Sequence, residues 1–259
     1  MDWKKLIPLL LVVWLFGILI GSLVRCDRTP TDIDTDIDID IDDCCKGENY
    51  FAPTEYNAKM TTLSEKAWET VCEFVQDVGL RRHMQAVGVA MRFYADKLGH
   101  DADRWEAAGL IHDFDWEIHP NLNEHPGKGA LILRERGWDE DLIRTVLSHY
   151  EAGTGVPREK PIDFALLACD EITGLLIASA LVRPSKDIRE MKIKSVKKKW
   201  KVKAFAAGVD RDHVIEVTED FSRECFDGEL ELWTHIGNVL TAMQGDAELL
   251  GLDGSLAKG

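Results

Sequence analysis

The stretch from Ile162 to Val182 constrains this chain more than any other. It is a long apolar run between Pro161 and Pro184, yet it carries three acids, Asp163, Asp170 and Glu171. About 20 apolar residues can span a bilayer, but acids inside such a run are costly in lipid. The run is therefore expected as a buried core helix, stopped by the proline and packed on all sides. Asp170 then lies in Leu-Leu-Ala-Cys-Asp-Glu-Ile-Thr, where a carboxylate is expensive unless a cation or a metal offsets it.

The neighbouring sequence reads as helix too. Met84, Val87, Met91, Tyr94 and Leu98 place an amphipathic helix over Leu80–Leu98. Further helices are expected from about Asp103 to His112, from after Asn121 through Arg136 with a stop at Gly137, from Leu142 to Tyr150 behind an Asp139 cap, and from Glu229 to Leu250. Folding is expected to begin near Met60, with Ser64 or Thr61 capping the first helix. Period-two stretches are too short to build a sheet, so the fold class is all-α. The chain is 45% hydrophobic, enough for a real core, and its net charge of −15 argues against a general nucleic-acid binder. No CxxC pair is present, which excludes a zinc ribbon or thioredoxin motif. Cys72, Cys169 and Cys225, on apolar faces, read as small core residues.

Two segments of different character come first. Leu6–Val24 holds 19 residues without a charge, and at about 1.5 Å per residue it matches the bilayer core. It is expected as an uncleaved transmembrane anchor, because no Ala-x-Ala-like cleavage end follows and Arg25 precedes Cys26 where a lipoprotein needs a small residue. Lys4 and Lys5 on one side and Arg25 and Arg28 on the other leave the orientation open. The folded domain is expected to face the cytoplasm, and to be cytoplasmic outright if translation starts at Met60. Residues 26–59 form an acidic linker in which Thr31–Asp43 repeats an Asp–Ile word. Alternation permits a strand and a row of aspartates permits calcium, but a self-repelling spacer is the preferred reading. The expected division is anchor 1–25, linker 26–59, main domain 60–225, and a C-terminal helix and tail 226–259, that helix closing the core or making a homodimer contact.

Four of the eight histidines, His83, His112, His125 and His149, fall in helical or helix-end settings with acidic company, and Asp113 follows His112 directly. Imidazole and carboxylate suit Fe, Mn, Co, Ni or Zn, although any one of these histidines taken singly reads as a capping or surface residue. Together, His83…His112-Asp113…Asp170, with Ala-Ala-Gly-Leu-Ile leading into the His-Asp pair, resembles the H…HD…D signature of the HD superfamily of metal-dependent phosphohydrolases. His125-Pro-Gly-Lys-Gly-Ala and Ser-His149-Tyr fall where six-ligand members supply two more histidines. The resemblance covers roughly residues 75–210 and implies an HD-type helical bundle. It also implies one or two divalent transition metals per chain: a first held by His83, His112, Asp113 and Asp170, and a second, bridged by Asp113, held by His125 and His149. A hydroxide generated between them would attack phosphorus. Many members carry lysine or glutamate where this chain has Trp116, so the flanking Asp115 or Glu117 is the candidate for proton transfer. His119 is a spare ligand candidate.

From Arg183 to Lys203 ten basic residues face only Asp187 and Glu190. The run reads either as a solvated helix face or as a phosphate clamp, since it follows the helix bearing Asp170. Arg183 and Lys186 lie about two to four turns beyond that ligand, and Lys194 and Lys198 are the residues expected to reach inward. No aromatic ladder accompanies the lysines, so no specific nucleic acid is expected. The expected activity is hydrolysis of a small anionic, nucleotide-like phosphoester or phosphoanhydride by a protein held at the membrane through residues 6–24. Two alternatives stand beside it: a di-iron oxygenase on the same ligands, and a non-catalytic nucleotide-binding helical module.

Overall fold

A computed structural model describes residues 61–257. The anchor expected at 6–24 and the linker at 26–59 lie outside the described residues. Within them the chain is helical, with no strand: α1 Leu63–Phe74, α2 Val78–Leu98, α3 Ala102–Ile111, α4 Gly127–Glu135, α5 Glu140–Ser148, the single turn α6 Glu151–Thr154, α7 Pro161–Leu181, α8 Ile193–Trp200, α9 Arg211–Phe226 and α10 Leu232–Gly245.

Side-chain oxygens decide where half of these helices begin, because the first turn of a helix leaves its N–H groups unpaired. Asp77, Asp101, Asp139 and Asp210 cap α2, α3, α5 and α9. The first helix starts differently from the sequence expectation. Thr62, not Ser64 or Thr61, is its cap, in a reciprocal capping box with Glu65, while Ser64 Oγ is drawn to Asp103 Oδ1, 2.5 Å away. α4 also starts later than expected. Residues 113–126 wind as successive turns, with Trp116 N donating to Asp113 O (3.0 Å), His119 N to Asp115 O (2.8 Å) and His125 N to Asn121 O (3.0 Å). α10 is shorter than the Glu229–Leu250 expectation because α9 ends in a reversal at Asp227 and Gly228, both left-handed, and Leu230 N is then tied to Ser222 Oγ.

The two 21-residue helices α2 and α7 form the centre. α3 and α10 pack on α2, and α5, α9 and α10 pack on α7. Among the described residues α7 is the helix long and apolar enough to cross a membrane, but 83% of its most apolar window is buried inside the protein, which makes it a core helix. α10 closes this core with Ile236, Val239, Leu240 and Met243. Cys169 is fully buried, and burial pushes its thiol up, away from reactivity.

α2 and α3 meet with no side chain between them. A Cβ on Gly109 would come within 2.7 Å of the Gly88 nitrogen and 2.8 Å of its Cα. This contact sets how close the end of α3 can come to the middle of α2. On the far side of the core His235 is fully buried: its Nε2–H donates to the Ala168 carbonyl (2.9 Å) and its Nδ1 accepts from the Tyr94 hydroxyl (2.7 Å). The Nδ1 contact requires the neutral ring, and burial, outweighing the Ala168 carbonyl, brings its pKa down to about 4.

Two expectations follow for stability. Gly109→Ala should lose about 1–3 kcal/mol, because the new methyl meets backbone that cannot swing away. Gly237→Ala, in open space within α10, should gain roughly 0.4–1 kcal/mol. Thermal melts of the two variants beside the parent check both signs. Unfolded, His235 takes up its proton near pH 6.5, whereas folded it does so only near 4. Its contribution is therefore complete above 6.5 and is lost as pH falls towards 4, at up to about 1.4 kcal/mol per pH unit. Urea titrations across that window should show a flatter pH dependence for His235→Gln.

Candidate metal centre

Five places on the helical frame deliver the ligand-type side chains. His83 comes from the first half of α2 and Asp170 from the middle of α7. His112 and Asp113 follow at the end of α3, positioned by the Gly88–Gly109 contact. His125, at the close of the turn segment, and His149, just past α5, complete the set.

Each imidazole is held by its Nδ1. His112 Nδ1–H donates to the Gly109 carbonyl at 2.7 Å, and His149 Nδ1–H donates to the Val146 carbonyl. His125 Nδ1–H donates to Asp115 Oδ1 at 2.8 Å. Thr173 Oγ1, which gives its own proton to the Asp170 carbonyl, accepts from His83 Nδ1–H at 3.2 Å. All four tautomers are thereby fixed, and all four Nε2 atoms turn to the same two carboxylates. His83 Nε2 lies 2.9 Å from Asp170 Oδ1. His112 Nε2 is 3.5 Å from Asp170 Oδ1 and 3.5 Å from Asp113 Oδ2. On the other side of Asp113, its Oδ1 is 3.2 Å from His125 Nε2 and 3.4 Å from His149 Nε2.

Two triads result, His83–His112–Asp113 and Asp113–His125–His149, each with its ligand atoms within 4.8 Å of one another and with Asp113 common to both. Their electrostatics are one-sided. Burial alone would lower the His112 and His125 pKa values, but the adjoining carboxylates outweigh it and push each up to about 9. Burial likewise acts against Asp113 and Asp170, yet the imidazoles hold both carboxyls below the ordinary range.

The donors fit a metal. His112 Nε2 is fully buried without a hydrogen-bond partner, the kind of orphan that native structures rarely keep. His125 Nε2 and His149 Nε2 face each other at 3.1 Å with both Nδ1 atoms already donating, so only a proton or a cation can lie between them. An Nδ1 tied to carbonyl or carboxylate behind an inward-facing Nε2 is the usual support for a metal-bound histidine. The open side is identifiable as well: the side chains of His83 and Asp170 are 12% and 13% exposed, whereas those of His112, His125 and His149 are at most 4% exposed.

The structure thus brings together His83, His112, Asp113, His125, His149 and Asp170. The other expected site residues take different places. Asp115 is buried with one oxygen on His125 Nδ1 and the other on the Gly129 amide (3.0 Å), so it positions a ligand and does not face the centre. Glu117 is turned outward, where it accepts from the Gln76 and Asp77 amides ahead of α2. Trp116 sets its ring at right angles to that of His125, with centroids 5.1 Å apart, a wall at the position where many family members carry an acid or base. His119 pairs with Glu124 at 3.7 Å, outside the cluster. In the basic run, Arg183 pairs with Glu190 (3.2 Å) and Lys186 Nζ donates to the Leu256 carbonyl. Lys194 and Lys198 are exposed on α8 and do not reach inward, because the apolar Val196 occupies the buried face of that helix.

Thr173 and Gly129 escaped the sequence reading. A hydroxyl one turn after Asp170 was the signal for the first. The second lies in Gly-Lys-Gly after His125, where a Cβ would come within 2.5 Å of the Asp115 carboxylate.

Residues 80–173 match the family model of the HD domain. No curated protein and no solved structure matches the chain.

Elemental analysis of the purified protein should find about two transition-metal ions per chain. His112→Ala should keep the ion of the Asp113–His125–His149 triad and lose the other, whereas Asp113→Asn should lose both. Asp115→Asn should weaken metal affinity about 10–100-fold without abolishing it.

Proposed function

We propose that this HD-domain protein is a metal-dependent phosphohydrolase acting on a small phosphorylated, nucleotide-like substrate. The observation that carries the reading is the pair of triads joined through one carboxylate, Asp113. A bound divalent metal pair supplies Lewis acidity toward phosphoryl oxygens and a water acidic enough to ionise near neutral pH. His83, His112, Asp113 and Asp170 would hold the first ion, and Asp113, His125 and His149 the second.

The chain's own contribution is rigidity and exclusion of water. Four fixed Nδ1 atoms leave the imidazoles no freedom to rotate, so the ligand set is ready before a metal or substrate arrives. Asp115 holds His125 in place and is itself clamped by the Gly129 amide. Trp116 closes the side next to His125, leaving the His83–Asp170 side as the approach for a phosphate. Arg183, Lys186, Lys194 and Lys198 touch nothing in the centre, so any part they take with an anionic substrate is long-range attraction. Residues 6–24 are proposed to hold the domain at the cytoplasmic face of a membrane.

Neither Asp115 nor Glu117 is offered to a leaving group, and the Trp116 side chain carries no acid able to protonate one. Without a strong general acid, the rate should depend steeply on how readily the leaving group departs. Aryl phosphates and phosphoanhydrides should therefore be cleaved at least about 100-fold faster than simple alkyl phosphates. Metal-reconstituted protein assayed against a graded series of phosphate esters checks this, with His112→Ala and Asp113→Asn inactive throughout. Equal rates along the series would point to an acid that has been overlooked, and no hydrolysis by fully loaded protein would remove the reading.

A further inference from the structure

The centre makes no use of a dense run of lysines on the surface. Seven lysines lie between Lys192 and Lys203, and no acid occurs between Glu190 and Asp210. They are carried by α8 and the turn after it. Six are exposed and Lys199 is half-buried. Two rest on aromatic rings, Lys197 Nζ 4.8 Å from the Trp233 centroid and Lys199 Nζ 4.6 Å from that of Phe205. None of the seven has a carboxylate partner among the described residues.

Elsewhere the same fold pairs its cations closely. Arg92 bridges Glu106 and Asp246, Arg136 meets Glu73, Lys128 meets Glu124, and Lys160 meets Asp141. The lysine face therefore stands out as a positive field without its counter-charge on an otherwise acidic domain. It also has an apolar component: Val202 is 53% exposed amid half-buried Trp200, Trp233 and Phe205.

One segment of this chain matches both properties. Thr31–Asp43 holds seven aspartates in 13 residues, alternating with isoleucine over most of its length. In an extended chain, alternation sends the two residue types to opposite sides, so one edge can meet the lysines while isoleucines reach Val202 and the tryptophan rings. Length permits the contact. Seventeen residues separate Asp43 from residue 61 and can span roughly 60 Å, whereas a domain of this size is roughly 40 Å across. A tethered partner is also present at an effective concentration on the order of millimolar, ahead of any polyanion that must be found in solution.

We propose that the aspartate-rich segment Thr31–Asp43 docks on the lysine face of α8 in the same chain, as an electrostatic strap between the N-terminal region and the domain. The contact is surface-exposed and multivalent, so it is strong at low ionic strength and opens as salt rises. It is independent of the metal and of the hydrolase reading.

The test is carbodiimide cross-linking of the full-length protein in detergent, which joins a carboxylate to an amine only where the two are in contact. Mass spectrometry should find links between residues 31–43 and Lys192–Lys203 at low ionic strength. These should vanish at about 1 M salt, where the screening length is about 3 Å. In a second measurement, acetylation of the same lysines by a soluble active ester should run at least about threefold faster once all seven aspartates are changed to asparagine, as for a strap docked roughly two thirds of the time. Equal labelling of parent and variant, together with no cross-links, overturns the proposal. So do links found only between isotopically distinct chains in a mixture, which would make the contact one between copies. Protection that appears only on adding anionic phosphatidylglycerol vesicles or single-stranded DNA overturns it too, and assigns the lysines to an outside partner.

Discussion

Asp113 is asked to do two things at once. Its Oδ2 faces His112 from α3, and its Oδ1 faces His125 and His149 from the other side of the centre. A buried carboxylate in this position is tolerable only because positive charge surrounds it. In the protein as described, raised imidazole pKa values supply that charge, and metal ions would supply it more fully. The surrounding fold can be understood as the means of holding three imidazoles against this one side chain and a fourth, His83, against the neighbouring Asp170. Helix α2 brings His83, the end of α3 brings His112, the turn segment brings His125, and the residue after α5 brings His149. Each is pinned from behind, by a carbonyl, a carboxylate or a hydroxyl.

Much of this was legible in the sequence, for identifiable physical reasons. The helices α2, α3, α5 and α7 announced themselves through apolar patterning, the Asp139 cap of α5 and the prolines that bound α7, because burial and capping are local in sequence. The residues by themselves singled out Asp170, which interrupts an apolar run that could not otherwise accept it; the full set of six could be named because His83…His112-Asp113…Asp170, with His125 and His149, resembles the HD signature. What could not be read were relations across the fold. Asp115 and Glu117 are both acids beside the motif, and only the packing shows that one clamps His125 while the other caps the approach to α2. Thr173 belongs to the centre solely because α7 lies against α2. The basic run, read as a single feature, divides in three dimensions: Arg183 and Lys186 are absorbed by Glu190 and the Leu256 carbonyl, and the lysines of α8 face solvent.

That division bears on how charge is organised in the molecule. The interior resolves its ionisable groups within a few ångströms, through fixed tautomers and shared carboxylates. The α8 surface leaves its charge unmatched by any neighbour in the domain, and its counterpart in number lies far upstream in sequence. Interior and surface electrostatics thus operate at different ranges, and salt should disturb the second while leaving the first untouched.

The contact between Gly88 and Gly109 has a further consequence. Two main chains touch there without a side chain to cushion them, and the residues that follow α3 are the proposed ligands His112 and Asp113. A slight widening at this point would leave both helices intact and most of the core packed, yet it would carry His112 and Asp113 away from His83 together. If the centre holds the ions proposed for it, the first symptom of wear would be a folded chain that has let go of them, so that occupancy of the centre would report the integrity of the fold earlier than its melting does.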